Sequence, residues 1–142
     1  MKILFLVFII ALVLNLVWEH IHFALYDCSA GCNVSTLSFL PLPLLVKASI
    51  FDAFFITVLY LFVAALHTSL IWIYTWHMPD TVLIIGVALF FATIIEQNAL
   101  ATHKWAYSPL MPIVPIIAVG LSPFVQLAVL AIATYTIVQK LT

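Results

Sequence analysis

Charge is what this chain has least of. Charged residues make up 6% of the 142, against about 25% in an ordinary soluble domain, and arginine is absent. The basic residues are Lys2, Lys47, Lys104 and Lys140, and the formal net charge is -1, which excludes the basic footprint that nucleic-acid binding requires. No internal repeat or low-complexity tract is evident. No connection between apolar runs approaches the ~50 residues that a separate domain needs, so residues 1–142 read as a single domain.

Apolar residues dominate what remains, at 67% with a mean hydropathy of +1.32. No water-soluble surface can be made from such a chain, and lipid is the expected solvent. The expected class is all-α, a four-transmembrane-helix bundle and polytopic integral membrane protein. Runs of the ~20 residues that cross a hydrocarbon core place the spans at residues 3–26, 48–74, 81–101 and 111–138. The opening run follows a lysine, as a signal peptide would, but no small-residue cleavage site follows, so a retained span is expected. Residues 34–46 carry Pro41 and Pro43 and are too short to cross, which suggests an interfacial or re-entrant segment. Asp80 suits the N-cap of the third span, and Pro112, Pro115 and Pro123 should loosen the first half of the fourth. Four crossings put both termini on one side. The lysines are tied two against two, and the cysteine pair and short polar ends favour cytoplasmic termini.

Cysteine occurs only as Cys28 and Cys32, in Cys28-Ser29-Ala30-Gly31-Cys32. The pair can close a local disulfide on an oxidising side, and a metal pair or two free thiols fit equally well. Asn33-Val34-Ser35 matches a glycosylation acceptor, a pattern frequent by chance.

Ionisable groups inside a span are functional candidates by default, so their depth is the informative quantity. Counted at the rise of an α-helix, Glu19 lies roughly 25 Å from Lys2, Glu96 roughly 24 Å from Asp80 and Gln126 roughly 21 Å from Lys140. Three helices therefore bring polar groups to one level. Asp52, roughly 36 Å from Trp76 on the same scale, falls at the interface above it. Asn15, Glu19, His22 and Tyr26 share a face of the first helix, and Glu96 and His103 share a face of the third if that helix continues. Glu19-x-x-His22 has the spacing with which carboxylate-bridged metal proteins meet an ion from one helix. Together with Glu96 and His103 it can hold one zinc or iron. The bland alternative is that both glutamates reach headgroups and merely specify packing. His67, roughly 14 Å from Trp76 and so near mid-membrane, finds no histidine partner at its depth, so haem is not expected and a hydrogen-bonded packing role is. Ser108 and Ser122 lie at the polar end, yet no residue pattern marks either as a nucleophile. Transport is disfavoured because the other half of the membrane lacks a polar path.

The layout after Glu96 is a polar helix end, the connection His103-Lys104-Trp105-Ala106-Tyr107 and a proline-led helix. It resembles membrane-embedded carotenoid cyclases, small helical proteins whose corresponding helix carries two adjacent glutamates and acts on a long polyene. Here that helix reads Gly120-Leu121-Ser122-Pro123-Phe124-Val125-Gln126, with a glutamine and no carboxylate pair. No catalytic residue is carried over, and the chain is not assigned to that family.

The functional expectation is a site open to one leaflet that binds a lipid-like or isoprenoid-like molecule or a metal ion. Glu19 and Glu96 would serve as acid, base or ligand, and His22 and His103 as ligand or proton shuttle. Gln126, Trp18, Tyr26, Asp52, Trp105 and Tyr107 would contact the substrate. The alternative is a non-catalytic accessory subunit of a larger membrane complex. Expected partners are membrane lipid and either other subunits or further copies of this chain.

Overall fold

A computed structural model describes residues 2–27 and 42–142. Cys28, Cys32, the Asn33-Val34-Ser35 pattern and residues 34–41 of the suggested re-entrant segment lie outside the described residues. The chain is helical: α1 (Lys2–His22), α2 (Leu42–Leu66), α3 (Met78–Ala101) and α4 (Leu121–Leu141), each long and apolar enough to cross a membrane. Two small antiparallel ribbons lie between them. The first pairs β1 (Tyr26–Asp27) with β2 (Ala106–Tyr107), and the second pairs β3 (Ile113–Val114) with β4 (Val119–Gly120).

The helix ends explain most departures from the expected spans. Residues 42–46 belong to α2. Pro43 stands in its first turn, where the missing amide hydrogen breaks no helical bond. The helix also ends early, at Leu66 rather than near Tyr74. Ser69 N–H donates to Ala64 O at 3.0 Å and Thr68 N–H to Ala65 O at 3.2 Å, while Thr68 sits at φ 51°. This is the left-handed closure that normally employs glycine. Its counterpart ends α3, where His103 has φ 53° and Lys104 N–H donates to Ala99 O at 2.9 Å. The third helix therefore does not carry His103 onto the face of Glu96. At its start α3 begins at Met78, with His77 as N-cap. Asp80 is one turn inside, accepting from His77 N–H at 2.9 Å and pairing with His67 Nε2 at 2.8 Å. His67 is accordingly a helix-end residue beside α3, not a mid-span one. Pro112 and Pro115 flank β3 outside any helix, and Pro123 sits in the first turn of α4, so no proline interrupts α4.

Packing is uneven around the bundle. α1 lies against α2 and α4, and α3 lies against α4, whereas α2 and α3 scarcely meet. In cross-section the order is α2, α1, α4, α3, with a gap between the outer two. Buried alanines such as Ala11, Ala53, Ala88, Ala92 and Ala131 stand at the contacts, letting backbones approach where lipid would supply no hydrophobic drive between helices. At the end opposite the ribbons, Trp72 packs on Tyr60, Trp76 and Tyr135. Its indole N–H donates to Tyr60 O at 3.2 Å and Tyr135 O–H donates to Ile56 O at 2.6 Å. This aromatic knot closes one end of the bundle.

Left-handed backbone costs a residue with a Cβ about 1–2 kcal/mol. Thr68→Gly and His103→Gly are each expected to stabilise the protein by about 1 kcal/mol in thermal unfolding of the detergent-solubilised chain. A loss of stability in either would contradict the closure assigned to it.

Candidate functional site

The site is assembled at the ribbon end, and its centre is one amide. Gln126 of α4, 4% exposed, directs Nε2 at three oxygens. These are Asn15 Oδ1 at 3.1 Å, Glu19 Oε1 at 2.8 Å and Asp52 Oδ2 at 2.9 Å. Asn15 Nδ2 donates back to Ala11 O at 2.9 Å, which fixes that amide with its oxygen toward Gln126. A primary amide has two hydrogens for three acceptors, so the oxygens of α1 and α2 crowd a single donor on α4. Asp52 is thus a member of the cluster rather than an interface residue above it. A depth counted in helical rise from Trp76 is too large, because the helix ends at Leu66 and the chain turns at Thr68, eight residues before Trp76.

Glu19 also faces His22, whose Nε2 is 3.1 Å from Glu19 Oε2. The other ring nitrogen, Nδ1, is 3.1 Å from Trp18 Nε1 and 2.9 Å from Ser122 Oγ. Indole N–H can only donate, so Nδ1 is the accepting nitrogen and Nε2–H donates to Glu19. Glu96, on α3 and 5% exposed, accepts from Tyr107 O–H at 2.5 Å and from Trp105 Nε1–H at 3.3 Å. Both donors lie on or beside β2, and β2 pairs with β1 so that Tyr26 faces Tyr107. Tyr26 stacks edgewise on His22 and Trp105. The ribbon therefore ties the end of α1 to the carboxylate of α3.

Between these groups lies a cavity of about 380 Å³ lined by Glu19, Tyr26, Asp52, Glu96 and Gln126, with walls that include Leu44, Phe51, Ala92, Ile95 and Leu127. Lys47 and Lys104, both exposed, also border it. Its sides are α2 and α3, the two helices that do not pack together. Toward the other end of the bundle the Phe55 and Phe91 rings meet, with centroids 5.4 Å apart, across that same gap.

The structure sorts the expected site residues clearly. Glu19, Asp52 and Gln126 share one hydrogen-bond cluster, Glu96, Trp105 and Tyr107 form a second, and Tyr26 lines the cavity between them. Trp18 supports His22 from behind. His103 joins neither cluster, since it is exposed past the end of α3. Among the described residues no group of three or more His, Cys, Asp or Glu is placed to hold a metal ion. His22 has no free ring nitrogen to offer, so the donor set expected for zinc or iron does not fit. His67 lies outside the cluster, bonded to Asp80. Ser122, which no sequence pattern singled out, is the unexpected member. Comparison with models of protein families, with curated proteins and with solved structures returned no match.

Burial, then the proximity of Glu96, pushes the Tyr26 hydroxyl well above the usual phenol range. Burial, then the hydrogen bond to Glu96, does the same for Tyr107. Folded-state values above the unfolded value of about 10 mean that the stability linked to these groups is intact below about pH 10 and is lost as pH rises beyond it. Stability should therefore fall between about pH 10 and 12, and less steeply in Tyr26→Phe; equal slopes would contradict the burial of that hydroxyl. At the centre, Gln126→Leu leaves three oxygens without their common donor. It should cost about 2–4 kcal/mol in chemical unfolding, and a cost under about 0.5 kcal/mol would contradict the network.

Proposed function

We propose that α1 to α4 cross a bilayer, with both termini on the cytoplasmic side, and that the cavity takes up a lipid-like or isoprenoid-like molecule from one leaflet. Entry is lateral, through the gap between α2 and α3. One observation carries this reading: a cavity of about 380 Å³ combines apolar walls with a polar lining drawn from all four helices. That size falls in the range of about 300–1,000 Å³ usual for small-molecule sites, which pair apolar walls with a few placed polar groups.

Depth supports the class of ligand. A carboxyl set among apolar helices is costly to keep and marks function by default, and it can meet only molecules that partition to the same depth. The chain of the ligand would lie along Phe51, Ile95 and Leu127, and its polar or unsaturated part would meet Asp52, Glu96 and Gln126. Glu19 and Glu96 have the geometry of proton donors or acceptors toward such a ligand. Tyr107 and Trp105 orient Glu96, and the Gln126 amide orients Glu19 and Asp52. General acid–base chemistry requires this kind of positioning.

The test is uptake of a radiolabelled long-chain isoprenoid alcohol by the purified, folded protein. Glu19→Gln with Glu96→Gln should reduce retention at least tenfold, and Ile95→Trp, which fills the gap, should do the same without altering either carboxyl. Retention unchanged by both would remove the reading.

A further inference from the structure

The mouth of the cavity carries charge that the reading above leaves unused. Lys47 and Lys104 border it, and no other lysine or arginine stands at the ribbon end, since Lys2 and Lys140 lie at the far ends of α1 and α4. Lys47 belongs to α2 and Lys104 lies just past the end of α3, so one lysine stands on each side of the gap between these helices. Both are exposed. Among the described residues neither forms an ion pair, although Glu19, Asp52 and Glu96 line the same cavity.

Depth keeps the two signs of charge apart. Asp52 lies five residues further along α2 than Lys47, and Glu96 lies five residues inside the end of α3 at Ala101, about 7 Å in each case at the rise of an α-helix. Helical side chains lean toward the N-terminus, which for α2 is the ribbon end, so Lys47 leans away from Asp52 and toward the headgroup level. Long basic side chains near the ends of membrane helices take this course, with the stem on apolar surface and the ammonium in the polar layer. The deeper carboxyls have donors of their own, Gln126 for Asp52 and Glu19, His22 for Glu19, and Tyr107 and Trp105 for Glu96. An anion therefore meets attraction at the rim and carboxyl oxygens further in, whereas an apolar chain meets the walls of Leu44, Phe51 and Ile95.

We propose that the ligand of this cavity is a phosphate monoester of a lipid-like chain, with its phosphate held between Lys47 and Lys104 and its chain directed inward along the gap. This rests on the reading that the cavity takes up a lipid-like molecule from one leaflet. A phosphate monoester carries a charge of about -1.5 to -2 near neutral pH, which two lysines balance. A carboxylate or phosphodiester head, with a single charge, would leave one of them without a counter-ion. Lysine binds phosphate as a point charge rather than through a fixed fork, which suits two flexible side chains carried by separate helices. The phosphate at the rim also fixes the direction of the ligand and brings the first carbons of its chain beside Asp52, Glu96 and Gln126.

The purified full chain in neutral detergent micelles is given radiolabelled farnesyl phosphate or radiolabelled farnesol, which share one chain and differ only in the head. Retention of the phosphate should exceed that of the alcohol at least tenfold. Lys47→Gln with Lys104→Gln should cut this ratio to threefold or less, and Lys47→Arg with Lys104→Arg, which keeps both charges, should restore it. Raising salt from about 0.1 M to about 1 M shortens the screening length from about 10 Å to about 3 Å and should lower the ratio in the native chain, a measurement that needs no variant to fold. Unlabelled phosphatidic acid, a two-chain lipid with the same head, distinguishes the source. Competition by it supports the proposal with a bilayer lipid as ligand, and its failure to compete supports the proposal with a single-chain phosphate. Equal retention of phosphate and alcohol, or a preference that survives the loss of both lysines, would overturn the proposal and leave the lipid-binding cavity standing, whereas retention of neither would overturn both.

Discussion

The Gln126 amide is the junction on which the polar end of the bundle depends. It carries hydrogens to oxygens on α1 and α2, and it does so from α4, which also packs along α3. Remove it and the Asn15 oxygen, Asp52 Oδ2 and Glu19 Oε1 would lose their shared donor among apolar helices, with Glu19 keeping only His22 on its other oxygen, which is costly for buried polar groups and most of all for charged ones. With two hydrogens for three acceptors, the network depends on all three oxygens staying within reach of one nitrogen. Here it also sets geometry, because Asn15 and Glu19 are one helical turn apart and both must reach the same nitrogen. That requirement fixes the rotation of α1 about its axis, and with it the direction in which His22 and Tyr26 point.

From that junction the asymmetry of the bundle follows. α1 and α4 are held together by polar bonds near the ribbon end and by small side chains below, while α2 and α3 lean on them from outside without closing on each other. The gap is bounded at depth by Phe55 and Phe91 and at the ribbon end by the β1–β2 pairing. What remains is a side-opening cavity with its polar lining at the back. The ribbon has a second effect: it places Tyr107 and Trp105 as donors on the buried carboxyl of Glu96.

The four helices were legible because hydropathy needs only composition over some twenty residues. Counting helical rise put Glu19, Glu96 and Gln126 at one level, and all three line the same cavity. Counting failed for Asp52 because it assumed a helix running to Tyr74, and nothing in Leu66-His67-Thr68-Ser69 announces a stop when threonine, not glycine, takes the left-handed position. The same applies to His103, whose expected place on the face of Glu96 depended on a helix that closes at Ala101. Pro43 looked like a breaker and is a first-turn residue. Strands of two residues carry no periodicity to read, so the ribbons were invisible, and with them the reason that Tyr26, Trp105 and Tyr107 converge. Ser122 carries no sequence signal for a similar reason: its partner His22 is 100 residues away, which no local pattern contains.

The account stands on the physical coupling of helices through the shared amide, and a double-mutant cycle measures that coupling directly. Unfolding free energies of Asp52→Leu, Gln126→Leu and the double variant should show a coupling energy of about 1–3 kcal/mol, as expected for groups within one hydrogen-bond network. Additivity within about 0.3 kcal/mol would mean that Asp52 and Gln126 do not sense each other, and the convergence of α1, α2 and α4 on one polar centre would be contradicted.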